Sequence, residues 1–158
     1  MERVVAIFRK HESAISTRGL KKGLKSNQVL DRIRQDLTKL GFQVESGKKR
    51  IKRPVLFGEN GRPIVGYRID AYHPKWQAVL EVEAARAWNG GAVFRDLIHA
   101  IVMVRVNYLV LAVPNAYKYR RVGRATSTPD YTSSRDLLET LYKQPDFRMP
   151  YYTVLIGY

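Results

Sequence analysis

The stretch from Ile64 to Ala84, IVGYRIDAYHPKWQAVLEVEA, decides how the rest of the chain is read. It predicts two β-strands, IVGYRIDAY and QAVLEVEA, joined by the turn His73-Pro74-Lys75-Trp76. Side chains alternate along a strand, so Glu81 and Glu83 share one face, roughly 6–7 Å apart, while Leu80, Val82 and Ala84 take the other. On the preceding strand Tyr67, Ile69 and Ala71 share a face and Arg68, Asp70 and Tyr72 the opposite one. Pairing the two strands through their apolar faces sets Asp70 beside both glutamates. Three carboxylates so close raise one another's pKa unless a cation lies between them, and a divalent metal is the simplest such cation.

The surrounding chain is strongly basic. Its 158 residues carry 28 Lys and Arg against 14 Asp and Glu, a net charge of +14. Two bases for every acid is the footprint of a protein that meets a polyanion. No apolar run approaches the ~20 residues that span a bilayer, Val4 to Phe8 is too short for a signal-peptide core, and no terminal lipidation motif is present. The expected partner is therefore nucleic acid, with no membrane and a cytoplasmic location. The absence of cysteine excludes disulfides, a zinc-thiolate site and a thiol nucleophile. The length predicts a single domain over 1–158.

On the N-terminal side, Glu2 to Phe8 predicts a short strand, and residues 9–25 a basic, loosely ordered arm. Ser26 is placed to cap a helix to Leu40, with Val29, Leu30, Ile33, Leu37 and Leu40 at helical spacing and Gly41 just past its end. Lys48, Lys49, Arg50, Lys52 and Arg53 follow in near succession, either as a solvated loop or as a segment that tracks a phosphate backbone. Pro54 to Phe57 begins a strand, and Asn60-Gly61 signals a hairpin.

On the C-terminal side, Asn89-Gly90-Gly91 opens a second long helix, whose buried stripe is read as Val93, Phe94, Leu97, Ile98, Ile101 and Val102, with Arg95, Asp96 and His99 largely off it. Tyr108 to Val113 has the pattern of a strand covered on both faces. Asn115 to Arg124 mixes Tyr117 and Tyr119 with Lys118, Arg120, Arg121 and Arg124. This segment is either an exposed loop or a contact to phosphate and base. Residues 125–134 read as a loop, and residues 133–157 as a closing helix and strand. The fold class is thus α/β, with a mixed sheet and an αβββαβ core at about 26–113 flanked by helices.

Asp70, ten residues, then Glu81-Val82-Glu83, on adjacent strands between two helices, resembles the PD-(D/E)XK nuclease superfamily. Ile69 stands where that motif has proline and Glu83 where it has lysine, a Glu-x-Glu form that some type II restriction endonucleases also have. The resemblance implies a restriction-endonuclease-like fold, a metal-dependent DNA endonuclease and a homodimer. The residues themselves suit those roles. Asp70, Glu81 and the carbonyl of Val82 offer hard oxygens to Mg²⁺, with Mn²⁺ as a substitute. Glu83 is placed to accept a proton or hold a second ion. Arg68 and Arg86 are nearest in sequence to supply the positive charge that the motif's lysine would bring to the phosphate. Other readings stand beside this one: an inactive nucleic-acid-binding module on the same fold, a basic ribonucleoprotein component, or acids merely salt-bridged across strands to Arg68.

Overall fold

The structure is a computed structural model that describes residues 1–18, 23–47, 49–84, 87–122 and 124–158. In chain order its elements are α1 (Glu2–Lys10), α2 (Glu12–Ile15), α3 (Ser26–Leu40), β1 (Gln43–Val44), β2 (Ile51–Phe57), β3 (Pro63–Ile69), β4 (Ala71–His73), β5 (Ala78–Val82), α4 (Ala92–Val102), β6 (Tyr108–Val113), β7 (Tyr117–Arg121), β8 (Arg124–Thr128), α5 (Asp130–Lys143) and β9 (Tyr152–Gly157). The protein is α/β, built on a five-stranded mixed sheet of order β1-β4-β5-β6-β9. β1, β4 and β5 are antiparallel neighbours, whereas β5, β6 and β9 run parallel. Among the described residues, no helix is long and apolar enough to cross a membrane.

Every residue of β5 is buried, because both faces of the sheet are covered. Ala78, Leu80 and Val82 join Val110 and Ala112 on the face packed against Val4, Ile7, Ile15, Val29, Ile33 and Leu37 of the first three helices. Val79, Leu109, Leu111 and Val113 take the opposite face, with Val93, Leu97 and Ala100 of α4 and Leu138 of α5. Glu81 stands in register with Leu111. The pleat therefore aims its side chain at the α4 face, at the carboxyl end of the parallel strands.

Four expectations change. Glu2 to Lys10 is helical, since Val4, Ile7 and Phe8 recur at i, i+3, i+4 and all are buried. The described part of the basic arm is ordered by the core: Ile15 is fully buried, and the Thr17 hydroxyl donates to the Tyr158 carbonyl at 3.3 Å. The strand from Ile64 breaks at Asp70. Its first part pairs with β2 in a separate ribbon, and the third antiparallel strand of the main sheet is the two-residue β1. Ile69 and Ala71 thus face different cores rather than one. Tyr117–Arg121 and Arg124–Thr128, read as loop segments, pair instead as the antiparallel strands β7 and β8.

The outer face of α4 also differs. Its buried row is Ala92, Val93, Asp96, Leu97 and Ala100, while Phe94, Ile98, Ile101 and Val102 are exposed. A helix laid on a sheet buries one narrow stripe, and here that stripe is the one holding Asp96. The α3 stripe holds at Val29, Leu30, Ile33 and Leu37, with Leu40 half-buried, and the helix ends at Gly41 with φ 105°, where a Cβ would meet His73 Nε2 at 2.9 Å; Ser26, however, is its first helical residue and Lys25 its cap, the Lys25 N–H donating to Gln28 Oε1 at 2.9 Å.

Candidate active site

Asp70 lies at the bend between β3 and β4, where the chain leaves the ribbon for the main sheet. Its Oδ2 accepts the Val82 N–H at 2.8 Å, and its own N–H donates to Glu81 Oε2 at 3.3 Å. These two bonds lock the acids across the β4–β5 junction. The Glu45 N–H donates to the Asp70 carbonyl at 2.8 Å, which brings β1 to the same place. Beyond Val82 the ladder continues, with the Glu83 N–H donating to Ala112 and the Tyr158 hydroxyl to the Glu83 carbonyl at 2.7 Å. Asp130, fully buried, accepts the Trp88 N–H at 3.4 Å and ties α5 to the segment after Glu83.

The acids open into a cleft of about 400 Å³ lined by Glu45, Asp70, Glu81, Val82, Glu83 and Asp96, with Arg68, Arg95 and His99 at its edge. Burial pushes the Asp70 carboxyl up to about 6, reinforced by the charges of Glu83 and Glu45 against the opposing pull of the Val82 N–H and Arg68. Burial drives Glu81 well above the usual carboxylate range, and Asp70 and Asp96 add to it. Asp96 rises to about 8, through burial and then the Glu83 charge. Arg95 is the nearest counter-ion, 2.7 Å from Glu83 and 3.0 Å from Asp96. The raised acids hold their protons more tightly than free carboxyls do, and a bound cation would favour their ionised form instead.

The donor set fits a hard divalent ion that keeps part of its water shell. Among the described residues, no three His, Asp or Glu side chains converge tightly enough to hold a metal by themselves. Mg²⁺ commonly takes one or two carboxylates together with substrate phosphates and water, so an open pair such as Asp70 and Glu81 suits it better than a closed cage.

The other sequence-predicted residues scatter. Arg68 lines the cleft but pairs with Glu45 at 3.2 Å, so it is not the partner of Glu81 or Glu83 that the cross-strand reading expected. Arg50 is exposed and also pairs with Glu45, and Lys49 and Lys52 are exposed beside it. Arg53 is structural: its guanidinium sits 3.9 Å over the Tyr72 ring and donates to the Val104 carbonyl at 2.9 Å. Lys118 donates to the Arg18 carbonyl, Arg124 is exposed, and Tyr117 stacks on Tyr119 with centroids 5.3 Å apart. Lys48, Arg86 and the side chains of Arg120 and Arg121 lie outside the described residues. His73 is structural, bonded to the Leu40 carbonyl at 3.1 Å and stacked on Trp76.

Sequence reasoning missed Glu45, Arg95, Asp96 and His99. For Asp96 a signal was available: it lies three residues after Val93 and one before Leu97, inside the row that α4 buries. No protein-family model, curated protein or solved structure matches the chain.

Proposed function

We propose that the protein is a metal-dependent endonuclease that hydrolyses phosphodiester bonds of DNA, on a restriction-endonuclease-like αβββαβ core. The observation that carries this reading is the lock of Asp70 and Glu81, two buried acids with raised pKa held at the carboxyl edge of the sheet, in a chain of net charge +14. Asp70, Glu81 and the Val82 carbonyl would hold a Mg²⁺ or Mn²⁺ ion. When bound, such an ion polarises the scissile phosphate and lowers the pKa of a water near it.

The chain's own groups do the rest. Glu83, exposed enough to meet solvent, accepts the proton of the attacking water as its oxygen bonds to phosphorus and the bond to the leaving oxygen breaks. Arg95 is better placed than Arg68 for the lysine's duty, because it already reaches into the cleft from α4 and meets Glu83 there. Arg68 in the cleft, Arg50 on Glu45 and the exposed Lys49 and Lys52 suit phosphate contacts, and the aromatic and basic strands β7 and β8 offer a second contact region. DNA, a second copy of the chain and a cytoplasmic setting complete the reading.

The inactive binding module has one observation in its favour: Arg95 is already bonded to Glu83 and Asp96. Duplex binding and cleavage measured together on Asp70→Ala separate the two. The enzyme keeps salt-sensitive binding and loses cleavage. An inactive binder shows no cleavage in the parent chain and the same binding with or without chelator.

A further inference from the structure

We propose that the outer end of the β2–β3 ribbon is a wedge that enters duplex DNA and kinks it, an inference that rests on DNA being the substrate in the reading above. The ribbon is separate from the main sheet, and toward its turn four large apolar side chains, Leu56, Phe57, Ile64 and Val65, are exposed, Ile64 by 64 %. Water disfavours such a cluster, and a two-stranded ribbon in solvent is only marginally stable by itself. The end therefore calls for an occupant that covers it.

Shape and charge select DNA as that occupant. Tyr67 and Ile69 of β3 pack on the α4 side, so alternation puts Val65, with Leu56 opposite it, on that side and Ile64 on the other face with Arg68. The end is thus apolar on both faces. A protein partner docks on one face of a ribbon, whereas a wedge between two base pairs meets a base on each side. The root of the ribbon is basic. Lys52 stands directly opposite Arg68 in the ladder, a like-charge pair that destabilises a sheet and that a phosphate between the two relieves. Glu45 is shared between Arg50 and Arg68, and Lys52 has no ion pair among the described residues. Arg62, exposed beside the turn, adds a cation near the wedge itself. A wedge of this kind enters from the minor groove, unstacks a base step and bends the duplex by roughly 20–90°. Since β3 leads directly into Asp70, Ile64 lies about 20 Å along the strand from the acids, which sets the kink roughly six base pairs from the cleavage position.

The test is energy transfer between dyes at the two ends of a short mixed-sequence duplex, titrated with the full chain in EDTA so that no cleavage interferes, with fluorescence anisotropy reporting binding. The parent chain is expected to bring the ends together. Ile64→Ser and, separately, Phe57→Ser are expected to bind at low salt and leave the duplex as straight as it is alone, while Ile64→Leu still bends it. Lys52→Gln is expected to bend it too, with a salt slope lower by about one. Both serine sites are exposed, and thermal melts confirm that each variant is folded. A parent chain that binds without bending, or bending that is equal in the parent and both serine variants, overturns the wedge and leaves the nuclease reading standing. So does a parent chain that sediments as a dimer where the serine variants sediment as monomers with bending intact, which assigns the ribbon end to a protein interface. A parent chain that binds no DNA overturns the wedge and removes DNA from the proposed function as well.

Discussion

The backbone N–H of Asp70 donates to the carboxylate of Glu81 at 3.3 Å, so one acid of the cleft is held by the main chain of the other. The return bond, from the Val82 N–H to Asp70 Oδ2, makes the arrangement mutual. Neither acid can change rotamer without releasing a backbone donor next to the other. The site is thereby built into the strand pairing instead of hanging on a loop.

Glu81→Gln keeps an oxygen that can accept the Asp70 N–H and removes a charge that burial disfavours. The variant should melt at a higher temperature than the parent chain in EDTA, and should lose cleavage by at least ~10²-fold. Calorimetry and a plasmid assay on the same preparations check both halves.

The cleft also makes stability depend on pH. Asp70 at about 6 and Asp96 at about 8 bind their protons more tightly in the folded chain than in the unfolded one, and Glu81 shifts the same way. Their contribution is fully present below the ordinary carboxylate pKa and is lost as pH rises through the folded values. Asp36 runs opposite. Pulled down to about 2 by its bonds to Lys10 and His11, it supports the fold above pH 4 and loses that support as pH falls toward 2. His99, lowered by burial, likewise favours the higher pH. Melting temperature in EDTA should decline between pH 5 and pH 9, and Mg²⁺ should flatten the decline. A scanning-fluorimetry series with Asp70→Asn and Asp96→Asn checks this, each variant flattening the EDTA curve.

Leu111 is fully buried in β6, opposite Glu81 in the ladder. Leu111→Ala should cost about 2–5 kcal/mol, since the covered sheet leaves little room to collapse. The urea midpoint should fall with the slope of the transition unchanged.

Gly66 lies opposite Pro54 in the β2–β3 ribbon, and a Cβ there would stand 2.9 Å from the Arg53 carbonyl oxygen. Gly66→Ala should destabilise by about 1–3 kcal/mol, because the obstacle is backbone and must move as a unit. The shift should also disturb the stacking of Arg53 on Tyr72, visible as a change in the tyrosine's near-ultraviolet dichroism.

What the sequence revealed depended on period. The α3 stripe, the apolar β6 run and Glu81 of β5 follow single, unmixed patterns and lie where those patterns put them, whereas Glu83 falls just past the strand's end. Val4 to Phe8 is a continuous apolar run that reads as a strand until Ile15, α3 and Tyr158 supply a surface for a helix to cover. The α4 helix is apolar nearly all round, so periodicity could not say which side meets the sheet, and the buried place of Asp96 was hidden by that ambiguity. The break at Asp70 was also hidden. It arises from tertiary pairing, with Ile51 opposite Ile69 in the ribbon and Ala71 opposite Leu80 in the sheet.

The most direct test of a metal-dependent nuclease is to incubate supercoiled plasmid and linear DNA with the purified chain in Mg²⁺, Mn²⁺ or EDTA, alongside Glu81→Ala. The account predicts nicking or cutting in either metal, none in EDTA and none by the variant. Cleavage that persists in EDTA or in the variant would contradict it, as would no cleavage of any DNA in either metal by a parent chain that binds DNA tightly.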